Sequence, residues 1–128
     1  MKLLLDTHVL LWWLFNDDKL SIAARALIAD RANKILISSA SGWEIATKYR
    51  LGKLPSASTL VQDIPGWVQR AGFTELPVTL THAQRAGLWP QKHRDPFDRM
   101  LAAQCYIENI SLISCDNDIH CFNINIIW

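Results

Sequence analysis

The run Asp95-Pro96-Phe97-Asp98-Arg99-Met100-Leu101-Ala102-Ala103-Gln104-Cys105-Tyr106-Ile107-Glu108 leads into Ser111-Leu112-Ile113-Ser114 and then Asp116. Asp95 has the character of an N-cap and Pro96 that of a first helical residue. A helix is therefore predicted over Pro96–Glu108. Asp98, Leu101, Ala102 and Cys105 follow i, i+3, i+4, i+7 spacing and form its inward stripe, so Asp98 does not point to bulk water. Ser111–Ser114 reads as a short buried strand. The unit is a helix feeding a strand, with an acid at the helix start and another just past the strand end.

The rest of the chain alternates in the same way. Residues 2–5 (Lys-Leu-Leu-Leu) predict a strand, followed by Asp6 and a helix over Thr7–Phe15 that Asn16-Asp17-Asp18 closes. Ser21–Asp30 reads as a helix with Ser21 as N-cap and Ile22, Ala26 and Ala29 at helical spacing. Ile35-Leu36-Ile37 reads as a strand buried on both faces. A helix is predicted over Ser41–Leu51, opened by a capping box of Ser41 and Glu44 and stopped by Gly52 with Pro55 beyond. Leu60–Ala71 is helical, with Pro65-Gly66 as the candidate break. Phe73–Val78 is a strand or an extended connector, Thr81–Leu88 a short helix, and Asn123–Ile127 a last short strand. Alternating strands and helices specify a parallel or mostly parallel sheet with helices on both faces.

Composition agrees. Of 128 residues, 50% are hydrophobic and 20% charged, the balance of a soluble globular chain. No linker or repeat divides it, so 1–128 reads as a single domain. A formal net charge of +1 excludes gross attraction to polyanions. Cys105, Cys115 and Cys121 contain no C-x-x-C pair, which argues against a disulfide framework or a zinc site. The apolar N-terminus is interrupted by Asp6 and His8, and no run reaches the roughly 20 apolar residues a membrane span needs. A cytoplasmic protein is expected.

The acidic residues carry the functional signal. Asp6 and Asp116 follow strands; Glu44 and Asp98 open helices. Singly, each has a local explanation: a cap for Asp6, the capping box for Glu44, a cap for Asp95 with Asp98, an Asx-turn for Asp116. In a parallel α/β sheet, however, strand carboxyl ends and the starts of the helices that follow lie along one edge, where ligands bind. All four acids fall on that edge. Converging anions must take up protons, meet basic side chains or bind a cation. Oxygen-only donors suit Mg²⁺ or Mn²⁺, which can orient water and neutralise charge during attack on a phosphodiester.

Leu5-Asp6-Thr7-His8, the Ser39–Lys48 stretch with Trp43-Glu44-Ile45, the His93–Arg99 run and Ser114-Cys115-Asp116 together resemble the PIN domain, and more narrowly the VapC-type toxins of type II toxin–antitoxin systems. The similarity extends to Leu51-Gly52-Lys53-Leu54 and the closing Ile127-Trp128. It implies a three-layer α/β/α fold around a mostly parallel sheet of four to five short strands. It implies a Mg²⁺-dependent endoribonuclease, with Mn²⁺ able to substitute, that homodimerises and is inhibited by a small antitoxin. The family's acidic positions map to Asp6, Glu44, Asp98 and Asp116 as catalytic and metal-holding residues, with Asp6 and Asp98 as direct ligands. Asp118 competes with Asp116 for the last place. A housekeeping nuclease of RNA processing, or a catalytically weak RNA- or protein-binding module, is the alternative.

Other residues are weighed against plainer roles. Thr7 suits either a metal-bound water or phosphate, or a cap. His8 and His93 read as structural or phosphate-facing. Lys92, His93, Arg94 and Arg99 abut the acids, and Arg94 and Arg99 are candidate RNA contacts. Lys48, Arg50 and Lys53 read as a solvated helix end. Adjacent Trp12 and Trp13 are not expected to face one core, which leaves one for a dimer or antitoxin contact.

Overall fold

The structure, a computed structural model describing residues 1–128, is built on five parallel strands. They are β1 (Lys2–Leu5), β2 (Lys34–Ser38), β3 (Thr74–Leu76), β4 (Ser111–Ile113) and β5 (Ile126–Ile127). Their order across the sheet is β3-β2-β1-β4-β5. Every pairing is parallel, with Leu4 opposite Leu36 on one side and Leu112 on the other. The sheet is thus wholly parallel, which fits apolar strands covered on both faces.

Six α-helices complete the layers: α1 (Thr7–Leu14), α2 (Ile22–Ala29), α3 (Ser39–Arg50), α4 (Ile64–Arg70), α5 (Leu80–Leu88) and α6 (Pro96–Glu108). Side-chain alternation along the strands divides the core in two. Leu3, Leu5, Ile35, Ile37 and Ile113 pack with Val9, Leu10, Ile28, Ile45 and Val68 from α1 to α4. Leu4, Leu36 and Leu112 face the other way onto Leu101, Ala102 and Cys105 of α6, with Ile119 and Phe122. No helix is long and apolar enough to cross a membrane.

Helix ends follow the local chemistry. Asp95 accepts from the Phe97 and Asp98 N–H groups. Gly52 (φ 76°) ends α3: its N–H donates to Tyr49, and that of Lys53 donates to Lys48, a Schellman closure that needs a left-handed residue.

Several expectations need correction. The buried face of α2 is Ala24 and Ile28, while Ile22 is 90% exposed, because Leu20 before the helix fills the adjoining core instead. Helix α3 begins at Ser39 rather than after Ser41. Strand β2 runs into it without a loop, and Ser38 caps it by accepting from the Ala40 N–H. Glu44 therefore lies beyond the first turn, and no Ser41–Glu44 capping box forms. The break before α4 falls at Asp63, whose carboxylate accepts from Gly66, with Pro65 inside the first turn. A 3-10 turn at Asn117–Cys121, unforeseen, joins β4 to the final segment. Trp12 and Trp13 both lean on the same core cluster, because Trp12 also meets Trp128 and Trp13 meets Phe73.

Candidate functional site

The carboxyl edge of the sheet gathers the acids from four elements. Asp6 extends β1 by donating its N–H to Ile113. Its Oδ1 accepts a long 3.4 Å hydrogen bond from the His8 N–H, so as a helix cap it is weak. Its Oδ2 instead accepts from Ser114 Oγ at 2.6 Å, across 108 residues of chain. Ser114 Oγ in turn accepts from the Asp116 N–H, so one hydroxyl aligns both acids.

Asp98 sits on the first turn of α6, buried at the head of the predicted stripe. Its carboxyl is pushed up to about 8, first by burial and then by the negative charges of Asp95, Asp6, Asp116 and Glu44. That repulsion is the electrostatic record of the four predicted acids converging. Burial also raises the Asp6 carboxyl, against the opposing pull of the Ser114 hydrogen bond. Asp116, half-buried, accepts from the Asp118 N–H in the expected Asx geometry, whereas Asp118 is exposed.

Glu44 is almost wholly buried. Its Oε2 meets Lys48 Nζ at 2.5 Å, and its Oε1 has no hydrogen-bond partner. Lys48 is thus part of the site and not a solvated helix end. Burial works to lower its ammonium, yet the hydrogen bond and charge of Glu44 prevail and raise it. The i, i+4 spacing of Glu44 and Lys48 on a helix was the available signal.

The flanking basic residues divide. Arg94 is exposed beside the acids. Arg99 is not free for RNA: its Nε, Nη1 and Nη2 donate to the carbonyls of Ala86, Gln91, His93 and Trp89. The guanidinium organises the loop before α6. Thr7 is not a cap either; its hydroxyl donates to Ser41 Oγ at 2.9 Å in a buried bond that ties α1 to α3. His8 is exposed, 4.0 Å from Asp6 Oδ1, while His93 approaches Asp98 Oδ2 at 3.4 Å. Trp43, 64% exposed, packs edge-on against Phe97.

This donor set fits a divalent cation. It offers carboxylate oxygens held together against their own repulsion, and an orphaned buried acceptor at Glu44 Oε1. Ligand atoms of His93, Asp98 and Asp116 lie within 4.8 Å of one another. A hard ion would remove the penalty that lifts Asp98.

Comparisons with known proteins bear on the family and the fold. Ribonuclease VapC16 of Mycobacterium tuberculosis is 44% identical over 62 residues, a segment equal to 48% of this chain and 43% of that protein. The chain therefore matches less than half the length of that curated relative. Among solved structures, VapBC2 from Rickettsia felis, bound to a DNA fragment from its promoter, superposes with a TM-score of 0.72 at 16% identity. That alignment covers 100% of this chain and 99% of the other. VapBC-1 from nontypeable Haemophilus influenzae gives 0.67 at 15% identity, covering 99% and 97%. These structures share the fold. The sequence profile of the PIN domain matches residues 3–123, and the chain belongs to the PIN domain family.

Proposed function

We propose that this chain is a metal-dependent endoribonuclease and acts as the toxin of a type II toxin–antitoxin module. The observation that carries the reading is the Asp98 carboxyl on the sheet's carboxyl edge, raised first by burial and then by the charges of Asp95, Asp6, Asp116 and Glu44 around it. Such a cluster is costly unless a cation is bound. The relative named as a ribonuclease supports RNA as the substrate, and the VapBC neighbours support a small antitoxin partner.

In this reading Asp6, Glu44, Asp98 and Asp116 hold Mg²⁺, for which Mn²⁺ substitutes. When bound, the cation supplies activated water and neutralises phosphate charge. Ser114 fixes the rotamer of Asp6, and Asp95 fixes the start of α6 that carries Asp98. Arg94 faces the RNA backbone. Residues 1–128 form one domain, supported by a sheet whose strands run from Lys2 to Ile127. Exposed Leu80 and Leu88 on α5 offer apolar area for a homodimer or the antitoxin. Three free cysteines suit the cytoplasm.

The test is cleavage of a defined RNA by purified protein. Activity is expected with Mn²⁺ or Mg²⁺, none in EDTA, and at least a 100-fold loss, on the order seen for single catalytic groups, in folded Asp6→Asn. Cleavage indifferent to chelation, or full activity of folded Asp6→Asn, overturns the assignment.

A further inference from the structure

His93 is the imidazole of the acidic crevice, where Lys48 is already paired with Glu44. Its side chain is 10% exposed, and Nε2 is buried with no hydrogen-bond partner. Although Nε2 lies 3.4 Å from Asp98 Oδ2, the approach is outside hydrogen-bond geometry. The opposite ring nitrogen, Nδ1, accepts the Asp95 backbone N–H at 3.3 Å. A neutral imidazole carries one proton, and a nitrogen that accepts cannot hold it. The proton therefore resides on Nε2 and points among the carboxylates.

Distances alone would admit Nε2 as a metal ligand beside Asp98 and Asp116. Proton placement argues against it. Ligation needs a bare Nε2, which moves the proton to Nδ1, directly against the Asp95 N–H. The ring cannot turn away easily. It packs on Phe122 with centroids 5.6 Å apart, and the His93 carbonyl is clasped by Arg99 Nη1 at 2.9 Å. The same arginine lies 5.7 Å from the centroid of the Phe122 ring.

We propose that His93, its Nδ1 held as acceptor by the Asp95 N–H, is a catalytic residue whose Nε2–H donates a fixed hydrogen bond to an oxygen of the scissile phosphodiester. This rests on the nuclease reading above and deepens it. The proton stays on nitrogen throughout, and no bond to His93 forms or breaks. A preorganised donor of this kind acts where negative charge grows on the phosphoryl group. It also gives the crevice an unpaired donor, since the Lys48 and Ser114 donors are already taken up by Glu44 and Asp6.

His93→Ala is expected to lower kcat about 100-fold, with Mn²⁺ affinity by calorimetry unchanged within about twofold. His93→Gln, whose amide N–H can stand near the Nε2 position, is expected to recover at least tenfold of that loss. A drop in Mn²⁺ affinity of tenfold or more on His93→Ala, together with nitrogen coupling to Mn²⁺ in the wild-type electron spin-echo spectrum, overturns the proposal in favour of a ligand. Unchanged cleavage by His93→Ala also overturns it. Wild-type protein supplies a measurement independent of both folding of the variants and turnover. Imidazole ¹⁵N resonances are recorded with Ca²⁺ and a DNA dinucleotide as an uncleaved phosphodiester probe. A protonated Nε2 that shifts on addition of the dinucleotide is expected, even should RNA cleavage fail. An Nδ1-protonated ring, or an Nε2 signal indifferent to the dinucleotide, removes the donor role while leaving the nuclease reading intact.

Discussion

Lys48 Nζ stands 2.5 Å from Glu44 Oε2, one turn along α3, so an ammonium neutralises one wall of the acidic crevice. The other oxygen of that carboxylate remains unpartnered. In the proposed metal centre the lysine would compete with a cation for the same acid.

Removing the competitor has two opposite effects. Lys48→Gln is expected to destabilise the metal-free protein by about 1 kcal/mol, a figure discounted because a third of the lysine side chain is exposed. It is expected to tighten Mn²⁺ binding several-fold. Thermal melts with and without Mn²⁺ check both: the ion should raise the Tm of the variant more than that of the wild type.

The pH dependence follows from Asp98. Its folded carboxyl is pushed up to about 8, first by burial, from an ordinary value of 3.8. The folded state thus binds a proton that the unfolded chain releases. This contribution is complete below about pH 4 and is lost as pH rises through about 8; Asp6 shifts in the same direction. Metal-free protein should melt at progressively lower temperature from pH 5 to pH 8.5, and saturating Mn²⁺ should flatten the slope. Asp98→Asn should stabilise the metal-free protein at pH 7.5 by about 1–3 kcal/mol while abolishing cleavage. Calorimetry across pH decides this.

Asp116 and Asp118 separate by orientation. Asp116 shares Ser114 with Asp6 and adds to the charge that lifts Asp98; Asp118 is exposed. Asp116→Asn is expected to weaken Mn²⁺ binding about 10–100-fold, and Asp118→Asn to leave it within twofold. Isothermal titration distinguishes them.

Arg99 is expected to behave as a loop clasp. Arg99→Met leaves the carbonyls of Ala86, Trp89, Gln91 and His93 without that donor and should cost about 2–4 kcal/mol. The salt dependence of RNA binding should be unchanged, whereas loss of a phosphate contact would reduce the slope by about one. Denaturant melts and binding at several salt concentrations check the pair of outcomes.

The sequence made most of this architecture legible because its strongest signals are local. Asp95-Pro96 starts α6 and Gly52 ends α3 through backbone geometry that neighbouring residues dictate. The strand edge that gathers Asp6, Glu44, Asp98 and Asp116 follows from parallel topology alone. What was hidden depends on partners distant in sequence. Arg99 reads as a free cation until the Ala86 carbonyl of α5 and three carbonyls of the irregular loop after it close around it. Thr7 and Ser41 each suggest a cap, and only the packing of α1 on α3 shows that they bond to each other. Ser41 has the look of an N-cap, but β2 passes directly into α3 and the equally suited Ser38 caps it. The state of His93 depends on a backbone N–H two residues away, which no pattern of side chains reports.

The bond from Ser114 to Asp6 has a consequence for biosynthesis. It joins residues 108 apart, and β1 lies between β2 and β4 in the sheet. A nascent chain leaving the ribosome therefore carries Asp6 long before its hydroxyl partner exists. Such non-local closure comes late in folding. Stalled products that lack β4 hold Asp6 and Glu44 without the Ser114 hydroxyl that aligns Asp6 and without Asp116. The acidic cluster is complete only once β4 and the Ser114–Asp116 segment behind it have been made.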